Sequence, residues 1–152
     1  MLLSELLTPD QIRVPLRGTT KEELLRELVD VLHRSGAVSD PAVVLEAVME
    51  RERVLSTGIG SGVAIPHGKS NRVAKLAVAA GVTAQPVDFE ALDGRPVNLF
   101  FLLVGPESAA GQHVKALSRI SRLVRRDTLR EELVGAGTAE RFLALVARAE
   151  EP

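Results

Sequence analysis

The 152-residue chain contains no cysteine, no tryptophan and no tyrosine. Without cysteine there is no disulfide, no thiolate metal site and no cysteine nucleophile. A cysteine-free sequence suits a reducing compartment, and the expected location is cytoplasmic. Four phenylalanines supply all of the Phe, Trp and Tyr content, so the core must be aliphatic, and an aromatic platform for stacking bases is not expected. An excess of charge is missing as well. Lys and Arg number 19 against 20 Asp and Glu, a formal net charge of −1. No global field then attracts nucleic acid or an anionic membrane, and neither is an expected partner. No apolar run reaches bilayer-spanning length, so the chain is not expected to be membrane-embedded. The opening MLLSELLTPD has no basic region and no long apolar stretch, and it does not read as a signal peptide. The three histidines show neither HxH nor HxxxH spacing. A zinc site would therefore need distant groups, and no metal or other cofactor is expected.

What is present is a 45% apolar composition in a length that fits one ordinary domain with a sizeable core. No repeat, low-complexity tract or Pro/Gly/Ser-rich linker divides it, so residues 1–152 read as a single domain. Residues 2–7 suit a short helix. QIRVPL (11–16) alternates like a strand, with Pro15 marking an edge. In TTKEELLRELVDVLHRSG, Leu24, Leu25, Leu28, Val31 and Leu32 recur at helical spacing. Thr19 with Glu22 is the expected capping box, and Gly36 the stop. Asp40-Pro41 predicts an N-cap and first turn for a helix running to about Arg53. A short strand is expected at Val63–Ile65 and a buried one at 75–83. Residues 86–90 and 96–104 flank an Asp93-Gly94 turn as two further strands. PVNLFFLLVG is apolar almost throughout, as a central strand covered on both faces should be. GQHVKALSRISRLVRR is amphipathic, with Val114, Leu117, Ile120 and Val124 on one face and His113 on that side. Thr128 with Glu131 suggests a cap for a following short helix, and Thr138 opens the last. Helices and strands mixed in this order predict an α/β sandwich with helices on both faces.

The stretch GIGSGVAIPHGKS (58–70) holds four glycines, a proline and His67. An isolated Pro-His-Gly is ordinarily a turn. Here the glycines allow a close backbone approach to a ligand or partner. Arg51 lies at the end of the helix entering the loop, and His113 at the start of another helix, where an anion is favoured. Neutral imidazole is a good nucleophile and can carry a phosphoryl group. Arg51 can clamp phosphoryl oxygens, and His113 can donate a hydrogen bond to them. Two other chemistries fail on spacing. A GxSxG elbow around Ser61 needs glycine where Ile59 and Val63 stand, and a phosphate-binding GxxxxGKS needs glycine at Val63. His33, in the last turn of its helix, reads as structural.

Taken together, GIGSGVAIPHGK, PVDFEALDGRPVNLFFLLVGP, HVKALSRISRLVRR and the Arg51-Glu52-Arg53 stretch resemble the EIIA component of the bacterial phosphoenolpyruvate-dependent sugar phosphotransferase system. The resemblance is to its fructose/mannitol class, which includes the nitrogen-regulatory EIIA proteins, and it covers about residues 2–147. It implies a mixed central β-sheet between helices. It also implies a phosphotransferase component with a phosphohistidine intermediate. His67 would accept the phosphoryl group from phospho-HPr, with Arg51 and His113 completing the site, and the family pattern suggests Nε2 as the atom. The acceptor would be an EIIB component in sugar uptake. Alternatively, the chain is a regulator whose phosphorylation state controls protein partners without transport.

Overall fold

A computed structural model describes residues 1–152. Its six helices are α1 (Leu3–Leu6), α2 (Lys21–Arg34), α3 (Pro41–Val54), α4 (Ala110–Leu123), α5 (Asp127–Val134) and α6 (Ala139–Ala149). Its six strands are β1 (Ile12–Leu16), β2 (Gly58–Gly60), β3 (Val63–Ala64), β4 (His67–Lys69), β5 (Ala77–Val87) and β6 (Val97–Gly105). All strands join one sheet in the order β1-β5-β6-β3-β2, with β4 also paired to β6. The sheet is mixed. β1 runs parallel to β5, and β3 and β4 run parallel to β6, while β5–β6 and β2–β3 are antiparallel.

The period-2 alternation of the two long strands divides the core into two layers. Phe100, Leu102 and Val104 of β6, with Ala77 and Ala79 of β5, face the layer built from α2 and α3. Leu99, Phe101 and Leu103, with Val78, Ala80 and Val82, face the layer built from α1, α4, α5 and α6. The fold is therefore the expected α/β sandwich, and β6 is the doubly covered central strand. β1 is an edge strand. Its register with β5 shifts between Arg13 and Leu16, around the Pro15 that has no N–H to donate.

Helix α2 forms where its apolar stripe recurs: Leu24, Leu25, Leu28, Val31 and Leu32 are all buried. Each such burial stabilises by about 1.5–3 kcal/mol relative to exposure. The cap differs from expectation by one residue. Thr20 Oγ1 accepts from the Glu23 amide at 3.2 Å, and the Glu23 carboxylate takes the Thr19 amide at 2.9 Å. Gly36 follows with φ +88°, the left-handed geometry that ends helices. His33 donates from Nδ1 to the Val38 carbonyl at 2.8 Å, a structural role.

Other local expectations change. Asp40 precedes α3 but makes no capping bond; its carboxylate pairs with Arg72 at 3.0 Å. α5 starts at Asp127, so Thr128 lies inside the helix instead of capping it. β5 ends at Val87, and residues 88–90 are not strand. Val114 is 63% exposed, because the buried stripe of α4 is His113, Ala116, Ile120 and Leu123.

Candidate active site

β3 and β4 lie end to end along the same edge of β6. β3 pairs with Leu99–Phe100 and β4 with Leu103–Gly105. Pro66 lies between them, and its carbonyl accepts from the Leu103 amide at 3.0 Å. His67 is thus the first residue of a short strand anchored to the central one, where a Pro-His-Gly sequence suggested only a turn. Gly68 faces α3. A Cβ there would stand 3.0 Å from the Val48 amide nitrogen, so glycine is what lets helix and strand approach this closely.

His67 is half-buried, and its Nδ1 lies 2.9 Å from the Ile65 carbonyl oxygen. A carbonyl can only accept, so Nδ1 carries the proton and the Nε2 lone pair is left free in the neutral ring. Burial lowers the pKa of His67 most. The Ile65 hydrogen bond opposes this, the positive charges of Arg51 and Lys69 add to it, and Glu52 opposes it; the net direction is down. Neutral imidazole therefore persists below the ordinary histidine range.

His113 lies in the first turn of α4 and is 4% exposed. Its ring stands edge-on to that of His67, with centroids 5.5 Å apart and planes at 70°. Neither of its nitrogens has a hydrogen-bond partner. Burial first, then the nearby His67 and Lys69, push its pKa down to about 4. His113 is thus a neutral buried ring with an uncommitted donor beside the candidate nucleophile. Unsatisfied buried polar atoms carry a free-energy cost and are expected where function needs them. α4 also begins without a side-chain cap, at Ala109, and the positive end of its dipole lies near these rings.

Arg51 sits in the last turn of α3. Its Nη1 donates to the Leu55 carbonyl at 2.8 Å, which holds the guanidinium over the exit from the helix. Its charge reaches His67, though the two side chains share no hydrogen bond. The fold therefore gathers His67, His113 and Arg51 into one region. Two further residues were not flagged by the sequence. Lys69 adds positive charge beside both rings. Glu52 is 5% exposed and binds Lys21 at 2.8 Å and the Thr57 amide at 3.0 Å. The Arg51-Glu52-Arg53 run looks like a solvated face, which hides a buried carboxylate.

A concavity of about 910 Å³ lies elsewhere. It is an open groove lined by residues that include Thr20, Lys21, Met49, Arg53 and Glu90, and His67 does not line it. Of the histidine pair, His67 is half-buried and His113 lies buried behind it.

The family model described as "Phosphoenolpyruvate-dependent sugar phosphotransferase system, EIIA 2" matches residues 5–149. The chain belongs to this family. It is 38% identical over 146 residues to the PTS system fructose-specific EIIABC component of Bacillus subtilis (strain 168), covering 96% of this chain but 23% of that longer protein. It is 35% identical over 147 residues to a nitrogen regulatory protein of Bradyrhizobium diazoefficiens, covering 97% of this chain and 95% of that one. Among solved structures, the nitrogen regulatory protein IIA-Ntr from Neisseria meningitidis superposes with a TM-score of 0.87 at 35% identity, over 95% of this chain and 98% of that chain. No helix of this EIIA-family chain is long and apolar enough to cross a membrane.

Proposed function

We propose that this EIIA-family chain is a phosphocarrier that accepts a phosphoryl group from phospho-HPr on Nε2 of His67 and passes it to an EIIB component. The observation that carries the reading is the Ile65–His67 hydrogen bond, which leaves Nε2 as the free lone pair. Nε2 attacks phosphorus, the donor's N–P bond breaks, and its electron pair returns to the donor imidazole. Nδ1 keeps its proton throughout, and the Ile65 carbonyl stabilises the positive charge that the new N–P bond places on the ring. His113 donates a hydrogen bond to a phosphoryl oxygen, and Arg51 supplies compensating charge. Little covalent chemistry is asked of the protein beyond this, since phosphoryl transfer is governed by positioning and charge. The exposed Leu55, whose carbonyl holds Arg51, and the exposed Val114, next to His113 in α4, offer apolar surface for a protein donor.

The second reading is regulatory: the phosphorylation state controls protein partners without sugar transport. It is favoured by the nitrogen-regulatory relative, matched over nearly its whole length. A phosphoryl group adds about −1.5 to −2 charge, enough to reverse complementarity with a partner. One experiment addresses both readings. The chain is incubated with phosphoenolpyruvate, EI and HPr, its intact mass is recorded beside His67→Ala, and a fructose-type EIIB is then added. An acid-labile phosphoryl adduct in wild type alone supports the carrier. Its discharge onto EIIB supports transport, and retention supports regulation. An adduct of equal yield in His67→Ala refutes the role of His67.

A further inference from the structure

We propose that Glu52, buried and bound to Lys21, is a positioning residue that sets the tautomer and aim of His67 through a backbone relay. The inference rests on the reading of His67 as the phosphoryl acceptor. The relay consists of consecutive contacts. Lys21 Nζ lies 2.8 Å from the Glu52 carboxylate. That carboxylate accepts from the Thr57 amide, at 3.1 and 3.0 Å to its two oxygens, and from the Thr57 hydroxyl. The Thr57 carbonyl accepts from the Ile65 amide at 2.9 Å. The Ile65 carbonyl, on the other side of that residue, accepts from His67 Nδ1 at 2.9 Å.

Each link is fixed by the one before it. Glu52 is in the last turn of α3, so it ties the strand region entering at Thr57 to the helix that also carries Arg51. Thr57 is 4% exposed and Glu52 5%, so water competes poorly for these bonds. A buried carboxylate stripped of its partners is costly, so the fold favours keeping Glu52 on both Lys21 and Thr57. Both reacting-side elements, Arg51 and the Ile65 carbonyl, are thereby referenced to one carboxylate. Alignment matters at this scale, because misplacement by about 1 Å can cost on the order of 10²-fold in rate. Lys21 completes the site from the start of α2. Its ammonium also lies over the Phe89 ring, 5.0 Å from the centroid.

The test uses the full chain and reads the His67 tautomer directly, by long-range ¹H–¹⁵N correlation of the imidazole at neutral pH. Wild type is expected to be the Nδ1–H form. Glu52→Gln keeps the shape but loses the charge, and Thr57→Val loses the hydroxyl. Both are expected to give a mixture of tautomers and to lower the single-turnover rate with phospho-HPr about tenfold. Half-saturation for phospho-HPr should be unchanged, because the docking surface is untouched. Thr57→Ser should restore tautomer and rate, which a merely space-filling role for Thr57 would not predict. If Glu52→Gln fails to fold, the Thr57→Val and Thr57→Ser pair decides alone. A wild-type tautomer and rate in Thr57→Val, or in folded Glu52→Gln, overturns the proposal. The tautomer readout needs no phosphoryl transfer, so an unreactive His67 would refute the carrier reading while leaving the relay measurable.

Discussion

The Ile65 carbonyl accepts a hydrogen bond from Nδ1 of His67, 2.9 Å away, and this contact leaves Nε2 as the nitrogen with a free lone pair. Because burial, Arg51 and Lys69 outweigh the groups that favour the charged ring, protonation of His67 is displaced below the ordinary value of 6.5. Protonation would remove the lone pair that the proposed transfer uses. The rate of phosphorylation should therefore fall with a midpoint below pH 6.5, as followed by rapid-quench assays across pH. A midpoint at or above 6.5 would contradict the electrostatics described. At His113 the prediction is a loss of about 10²-fold in transfer rate for His113→Ala, the usual cost of one oriented donor to a developing charge, with the phosphoryl group still on His67. A wild-type rate would remove His113 from the mechanism. These residues were legible as candidates because a histidine in a glycine-rich loop, a second histidine at a helix start and an arginine at a helix end have few bland explanations together. Glu52 was not legible. Sequence carries no sign that the middle of an Arg-Glu-Arg run turns inward, since that depends on Lys21 arriving from a different helix.

Among elements, β4 matters most to the site. Its backbone pairs with β6 on one side while Gly68 packs against α3. Gly68→Ala would place a methyl group 3.0 Å from the Val48 amide nitrogen and 3.1 Å from Val48 Cγ2. The expected result is a loss of about 1–3 kcal/mol in stability together with slower transfer, since strand and helix can separate only by moving His67 relative to Arg51. Denaturant titration beside the rate assay checks both. The long elements were readable: the leucine stripe of α2 repeats at helical spacing, and the apolar run of β6 has the length and composition of a strand covered on both faces. Of the short strands β2, β3 and β4, only β3 was read, as Val63–Ile65. β2 is held by pairing with β3 and β4 by pairing with β6, which is tertiary information. The α2 cap moved from Thr19 to Thr20 because adjacent threonines offer two equivalent oxygens and only the backbone geometry chooses.

Across the whole molecule, both ends of the chain are tied by one buried carboxylate. Glu150 accepts from the amides of Leu3 at 2.7 Å and Ser4 at 2.8 Å, with Arg119 at 3.4 Å. Glu150→Ala should cost about 2–3 kcal/mol and speed hydrogen exchange at Leu3 and Ser4, while leaving His67 reactive. Unchanged exchange at those amides would show that the contact contributes nothing to holding the N-terminus. Stability should also depend on pH in a defined direction. His67 and His113 are both harder to protonate in the folded chain than in the unfolded one. The unfolded state then binds more protons, so stability falls as pH drops from about 6.5 toward 4, the His113 value. The carboxyls of Glu23 and Asp93, held below their ordinary values of 4.5 and 3.8, add their losses at still lower pH. Thermal melts between pH 7 and 5 should show a decline that is shallower in His113→Leu; equal slopes would contradict the assignment of His113 as the acid-sensitive group.

The proposed carrier holds its phosphoryl group on one atom, Nε2 of His67. The most direct measurement is long-range ¹H–¹⁵N and ³¹P correlation on the ¹⁵N-labelled chain after phosphorylation by phosphoenolpyruvate, EI and HPr. One phosphorylated imidazole is expected, with phosphorus coupled to Nε2 and the proton retained on Nδ1 of His67. Phosphorus on Nδ1, on His113 or on His33 would contradict it.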